Sequence, residues 1–177
     1  MDKINHQTEF SGNAKKMLVG LAVCAFLATL TTVYLTYMHY APSASEVCTI
    51  NESFNCDIVN KSEWSYIPIG SFELPVSILG FLYYLGVFIG VIGLIKGWKF
   101  TRVWKWLEPL NLIRLMKWLT VAGVAFTLYL TYIETFYLKT YCIFCLAQQV
   151  LIIIMLCIFM GLRHKCVFCG EAGVKKK

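Results

Sequence analysis

Apolar positions in this chain neither alternate with polar ones nor form a single stripe at helical spacing. They come in four long runs, 17–37, 75–95, 118–137 and 142–162, none of which holds a Lys or Arg. A bilayer core takes about 20 apolar residues as a helix. Each run therefore predicts a membrane-crossing helix, and the chain reads as an all-α integral membrane protein, a four-transmembrane-helix bundle. The first run follows Lys15 and Lys16 and precedes Ser43-Ala44-Ser45, an arrangement shared with signal peptides. It exceeds the usual apolar region of about 7–15 residues and reads as a retained helix. Glu134 lies in the third run, about 24 Å along the helix from Trp118 at ~1.5 Å per residue, which puts it near the far interface rather than mid-bilayer.

Between the first two runs, 38–74 is the one sizeable polar stretch. It carries Glu46, Glu52, Asp57, Glu63 and Glu73 against Lys61. Its apolar part, 64–69, is expected to lie on the membrane surface over the bundle. Pro68 and Pro75 break any helix there and mark the re-entry into the second span. Of the 16 Lys and Arg, all but Lys61 and Lys139 fall in the N-terminal tail, in 96–117 or after 162. The positive-inside rule then makes both termini cytoplasmic and places 38–74 and 138–141 outside. On this reading 15–163 is a transmembrane catalytic domain with 38–74 as its extracytoplasmic cap loop, and 164–177 is a cytoplasmic tail. Trp98, Trp104, Trp106 and Trp118 form an interfacial belt. Composition agrees: 58% apolar and 15% charged is far from the usual balance of a soluble domain. The net charge of +6 is accounted for by topology, so the expected partner is membrane lipid and not nucleic acid.

The eight cysteines sort by this topology. Cys24 and Cys157 fall inside spans and read as small packing residues. Cys48, Cys56, Cys142 and Cys145 fall on the outer, oxidising side, where disulfides persist. Cys48 and Cys56 are close enough along the chain to pair. Cys142 and Cys145 form Cys-Ile-Phe-Cys at the start of the fourth span. Unpaired N–H groups and the positive end of a helix dipole stabilise a thiolate there, and the thiolate is the attacking species in disulfide exchange. Cys142 is expected to be exposed and Cys145 one turn deeper, near lipid. Such a pair suits electron transfer from a soluble thiol to a lipid-soluble two-electron acceptor, which a quinone is. Gln148 and Gln149 lie on the helix face of Cys145. Two amides in a span are costly without partners, and either a quinone carbonyl or an interhelical hydrogen bond would partner them. In the tail, Cys166 and Cys169 form Cys-Val-Phe-Cys-Gly. Two thiolates leave a tetrahedral zinc short of ligands, so no metal is expected beyond a weak site at Cys166 and Cys169 aided by His164 or a second copy.

The four spans, the loop pair Cys48 and Cys56, and the later Cys142-x-x-Cys145 resemble the vitamin K epoxide reductase family, specifically its prokaryotic members. The stretch from Cys56 to Ser65, with Ser62 in it, and Pro75 and Gly80 at the second span carry the same likeness. The resemblance covers about 15–163 and implies a four-helix bundle around a quinone with the outer loop as a cap. It implies that Cys145 meets the quinone, Cys142 exchanges with the loop, Cys56 relays to Cys142, Cys48 meets a soluble partner and Ser62 helps position loop and quinone. Many prokaryotic members carry a fused thioredoxin-like domain. This sequence shows none after the fourth span, so a separate thioredoxin-like or periplasmic disulfide carrier protein is expected as partner. The animal enzymes carry a tyrosine where this chain has Gln149 and an asparagine at the position of Val76. Both differences point away from epoxide reduction.

The expectation is a quinone-dependent thiol-disulfide oxidoreductase of the cell inner membrane, using ubiquinone or menaquinone and supporting disulfide bond formation. One alternative is a vitamin K epoxide or quinone reductase of an endomembrane. The other is a non-enzymatic four-span protein with structural disulfides.

Overall fold

The computed structural model describes residues 12–41, 49–51, 54–70, 72–98 and 109–171, with 49–51, 69, 72 and 163–171 described by backbone alone. Four helices are long and apolar enough to cross a membrane. They are α1 (Gly12–Tyr40), α3 (Val76–Lys96), α4 (Pro109–Ile133, continued by a π-helical turn Glu134–Leu138) and α5 (Ile143–Glu171). The third begins well before the expected 118. Pro109, whose missing N–H costs nothing at a helix start, opens it, and Arg114 and Lys117 ride on its first turns rather than in a loop. Helix α5 likewise runs on past the fourth apolar stretch to Glu171.

The outward faces are greasy. Val19, Val23, Phe26 and Leu30 on α1, and Val150, Ile153, Ile154 and Met160 on α5, are all exposed. Apolar surface on this scale needs a covering phase, and lipid supplies it. Between helices the drive to associate is close packing of small residues rather than escape from water. Accordingly the buried stripe of α1 includes Ala14, Ala22, Ala25 and Ala28. At Gly80 an added Cβ would lie 3.2 Å from Thr32 Cγ2, which explains the glycine where α3 crosses α1. Helix α1 packs along α3 and α5, and α4 packs on α5, whereas α3 and α4 meet little.

The segment expected as an outer loop is an ordered cap with small elements of its own. Strands β1 (Thr49–Asn51) and β2 (Phe54–Asn55) pair antiparallel, and α2 (Cys56–Asn60) follows at once. The Asn55 side chain caps α2 by accepting from the N–H groups of Asp57 at 3.0 Å and Ile58 at 3.2 Å. Strands β3 (Tyr66–Ile69) and β4 (Phe72–Pro75) form a hairpin that turns at Gly70, whose φ of 63° suits glycine. Pro68 and Pro75 therefore sit in strands, and Pro75 is also the cap of α3.

Hydrogen bonds to α1 and to the residue before Cys142 fasten the cap, among them Tyr40 Oη donating to the Glu73 carbonyl at 3.2 Å. Asn60, buried, donates from Nδ2 to the Leu35 carbonyl at 2.8 Å. His39 donates from Nδ1 to the Asn60 carbonyl at 2.7 Å, an assignment forced by the acceptor-only partner. The Asn55 N–H donates to the Tyr141 carbonyl at 3.1 Å, stitching the start of α2 to the residue before Cys142.

Candidate active site at the cap end of the bundle

Cys142 precedes the first residue of α5, and its Sγ accepts the N–H of Cys145 at 3.4 Å, as an N-cap side chain would. The Cys142 thiol is held below its ordinary range. The hydrogen bond from the Cys145 thiol is the main cause, and the N–H groups of Cys145 and Phe144 assist, while burial and the nearby Glu134 oppose it. The thiolate-stabilising setting expected of a helix start is therefore present. The expected exposure is not: Cys142 is 0% exposed. It lies in one buried cluster with Leu35, Cys56 and Val59, with Leu138, Phe144 and Cys145 packed against them. The cap covers it, so the surface it meets is the loop cysteine's element rather than water.

Cys56, the first residue of α2, is buried and disulfide-bonded, and its partner lies outside the described side chains. Cys48 also lies outside the described residues, as do the side chains of Cys166 and Cys169. Among the described residues Cys24, Cys142, Cys145 and Cys157 are free thiols. Cys24 packs against the core and Cys157 is exposed on the apolar surface.

Cys145 is on the far side of this cluster, on the wall of a cavity of about 580 Å³ that opens where α3 and α4 separate. Ser62, Trp64 and Ser65 of the cap roof it, and Tyr83, Tyr84 and Phe126 are among its aromatic lining. Its size is within the usual ~300–1,000 Å³ of small-molecule sites, and it combines an apolar wall with few polar groups in the usual way. Ser62 Oγ donates to the Val59 carbonyl at 2.8 Å, so it shapes the roof while lining the cavity.

The two glutamines part company. Gln149 is not among the lining residues. Its Oε1 accepts from Thr131 Oγ1 at 2.8 Å, the interhelical bond that was one of two readings for it. Gln148 is buried and lines the cavity. Both its donors are spent on α1, with Nε2 bonded to the Ala28 carbonyl at 3.1 Å and Thr31 Oγ1 at 2.6 Å. Its Oε1 has no partner among the described residues. Gln148 thus keeps a spare acceptor and no spare donor at the cavity wall, which suits a hydroxyl better than a carbonyl.

The family comparison bears on this site directly. The model of the vitamin K epoxide reductase family matches residues 18–160, from α1 through the cap to α5. The chain belongs to this family. As a member of the vitamin K epoxide reductase family it is a multi-pass membrane oxidoreductase, and the family acts on quinones. The cavity fits such a ligand on its own evidence: an aromatic chamber, a thiol in its wall, and in its lining Gln148 and Glu134, each with one buried oxygen unpaired among the described residues. Val76 also lines it.

Sequence reasoning passed over Glu134, Trp64 and Tyr83, all in the lining. The aromatics carried no distinguishing signal among 12 Phe, 10 Tyr and 5 Trp. Glu134 did carry one, since an ionisable residue inside an apolar span is a functional candidate by default. Counted along the helix axis Glu134 falls at the interface, where a carboxylate is tolerated, and only the tertiary structure shows it buried.

Proposed function

We propose that this protein oxidises a soluble thiol protein at the expense of a membrane quinone, through two cysteine pairs in series. One observation carries the reading: Cys56 and Cys142 share a single buried cluster, and Cys145 leads from it into the cavity wall. A reduced thioredoxin-like or periplasmic carrier protein delivers electrons to the loop pair Cys48 and Cys56. The Cys56 thiolate then attacks Cys142 in the Cys142–Cys145 disulfide and releases Cys145. Cys48 attacks Cys56, closing the loop disulfide and freeing Cys142. When bound, the quinone takes up two electrons and two protons. The chain's own task at that step is to hold Cys145 at the cavity wall, keep Cys142 ionised and keep water out. Ser62 and Trp64 close the roof, and Gln148 Oε1 accepts a hydrogen bond from the hydroxyl of the reduced ligand. The charge split along the chain supports an inner-membrane orientation with both termini cytoplasmic and the cap outside.

Quinone reduction by the purified protein, with a dithiol donor and either a ubiquinone or a menaquinone analogue, tests this. Turnover in the wild type that disappears in Cys145→Ser is the expected result. A wild type inactive with both quinones would overturn the reading, and activity with an epoxide instead would reassign the acceptor.

A further inference from the structure

Glu134 is only 3% exposed, lines the same cavity as Cys145, and has an oxygen, Oε2, with no hydrogen-bond partner among the described residues. It opens the π-helical turn that ends α4, a local distortion frequently found at functional sites. The Cys145 thiol and the Cys142 backbone N–H are neighbours of its carboxyl group. No Lys, Arg or His pairs with it among the described residues, where the one ion pair is Lys61 with Asp57. A buried acid of this kind is costly to keep. No salt bridge ties up its carboxyl group among the described residues, and it shares the wall of the ligand chamber with the reacting thiol. The other ionisable lining groups are Cys145 itself and the phenols Tyr83 and Tyr84, and Tyr83 is already engaged with Thr120 at 2.6 Å.

We propose that Glu134 is a catalytic proton-transfer residue, which takes the proton of the Cys145 thiol and delivers it to the ligand oxygen in the cavity. The proposal rests on the quinone reading above. Converting the dithiol to a disulfide yields two electrons and two protons, and both must reach the acceptor. As the Cys142 Sγ–Cys145 Sγ bond forms, the Cys145 S–H bond breaks and the electron pair leaves to the quinone. The thiol proton crosses to the Glu134 carboxyl, and the carboxyl's proton goes to a quinone oxygen. The second proton comes from water and replaces the one Cys142 lost on ionising. Glu134 ends as it began. Buried as it is, Cys142 is covered by the cap, so a carboxyl on the cavity side gives the Cys145 proton a path that does not require the cap to open.

Glu134→Gln and Glu134→Asp in the full-length protein, in detergent or nanodiscs, test it. Removing a general acid–base typically lowers a rate about 10²–10⁴-fold. Glu134→Gln should lose at least about 100-fold of quinone reduction, and Glu134→Asp should recover part of it. Infrared difference spectra, taken as a chemical oxidant closes Cys142–Cys145 with no quinone present, supply an independent readout. The wild type should show a carboxylic acid carbonyl band that changes on oxidation, and Glu134→Gln should lack it. A wild-type quinone rate in Glu134→Gln, or a band that survives the substitution, overturns the proposal. If Glu134→Gln fails to fold, an Asp variant with neither rate nor band does the same. An inactive wild type that still shows the Glu134 band would sink the quinone reading and leave the thiol–carboxyl proton transfer standing.

Discussion

At the end of the bundle away from the cap, Leu18, Leu21, Val91, Met155 and Phe159 meet as carbon against carbon, each almost wholly buried. At the cap end the residues at similar depth are Cys56, Asn60, Glu134, Cys142 and Gln148. There the helices separate around a cavity, and among the described residues Glu134 Oε2 and Gln148 Oε1 are buried and unpaired. Native proteins leave few buried polar groups unsatisfied, and those few call for an explanation. The same four helices thus supply a rigid clamp at one end and a reactive chamber at the other. Small residues on α1 hold the clamp shut, and the weak contact between α3 and α4 leaves the chamber open. Substitutions at the two ends should therefore fail in different assays.

The largest expected effect is at the chamber. Cys145→Ser removes the thiol on the cavity wall, and quinone reduction should fall below detection while the melting temperature in detergent stays near that of the wild type. A mutant that melts early would blur the contrast between the two ends. Phe159→Ala should show the reverse. Truncating a buried Phe costs about 3–5 kcal/mol, so the protein should melt markedly lower, yet turnover per folded molecule should hold. If turnover fell in step with Cys145→Ser, the two ends would not be separable.

The cap tests the boundary between them. Asn60→Ala removes the bond to the Leu35 carbonyl, worth about 1–3 kcal/mol in a buried setting. If that loosens the cap, alkylation of the covered Cys142 should accelerate roughly tenfold, as ~1.4 kcal/mol of easier opening would give. An unchanged rate would mean that Cys142 is reached by a route other than cap opening.

The smallest effect concerns ionisation. The Cys142 thiol is held low chiefly by the Cys145 thiol, so the pH midpoint of its alkylation should lie below that of an ordinary thiol. Cys145→Ala should move it upward. The sign for stability follows from the same shift. A thiol whose folded value is depressed stabilises the fold fully above its unfolded value, and that contribution is lost as pH falls through the folded one. In the reduced protein, therefore, Cys145→Ala should also flatten the rise of stability with pH across the thiol range.

Much of this protein was legible along the chain. The four spans were, because twenty uninterrupted apolar residues have few other places to go, and only the ends moved, most by a few residues but by nine where Pro109 opens α4 and by nine where α5 runs on to Glu171. The Cys142-x-x-Cys145 pair was legible because a helix start imposes its electrostatics locally: the sulfur accepts the N–H three residues on wherever the helix is docked. Ser62 and Gln148, expected from the sequence as quinone-binding, line the cavity. Gln149 bonds Thr131 instead, and a helix period that puts two neighbouring amides on nearly one face cannot say which of them does so.

What tertiary structure alone decided is what each reactive group faces. Burial of Cys142 depends on a cap hinged more than 80 residues earlier at Asn60 and Asn55. The free atom of Gln148 is its oxygen because α1 happens to offer it two acceptors. Glu134 meets Cys145 because α4 and α5 pack together and a π turn ends the first of them. Local sequence governs where a helix begins, how long it is and what its ends attract, since those forces act within a turn or two. Solvent access, the choice of hydrogen-bond partner and the shape of the chamber are set by which helices touch, and no run of neighbouring residues carries that information.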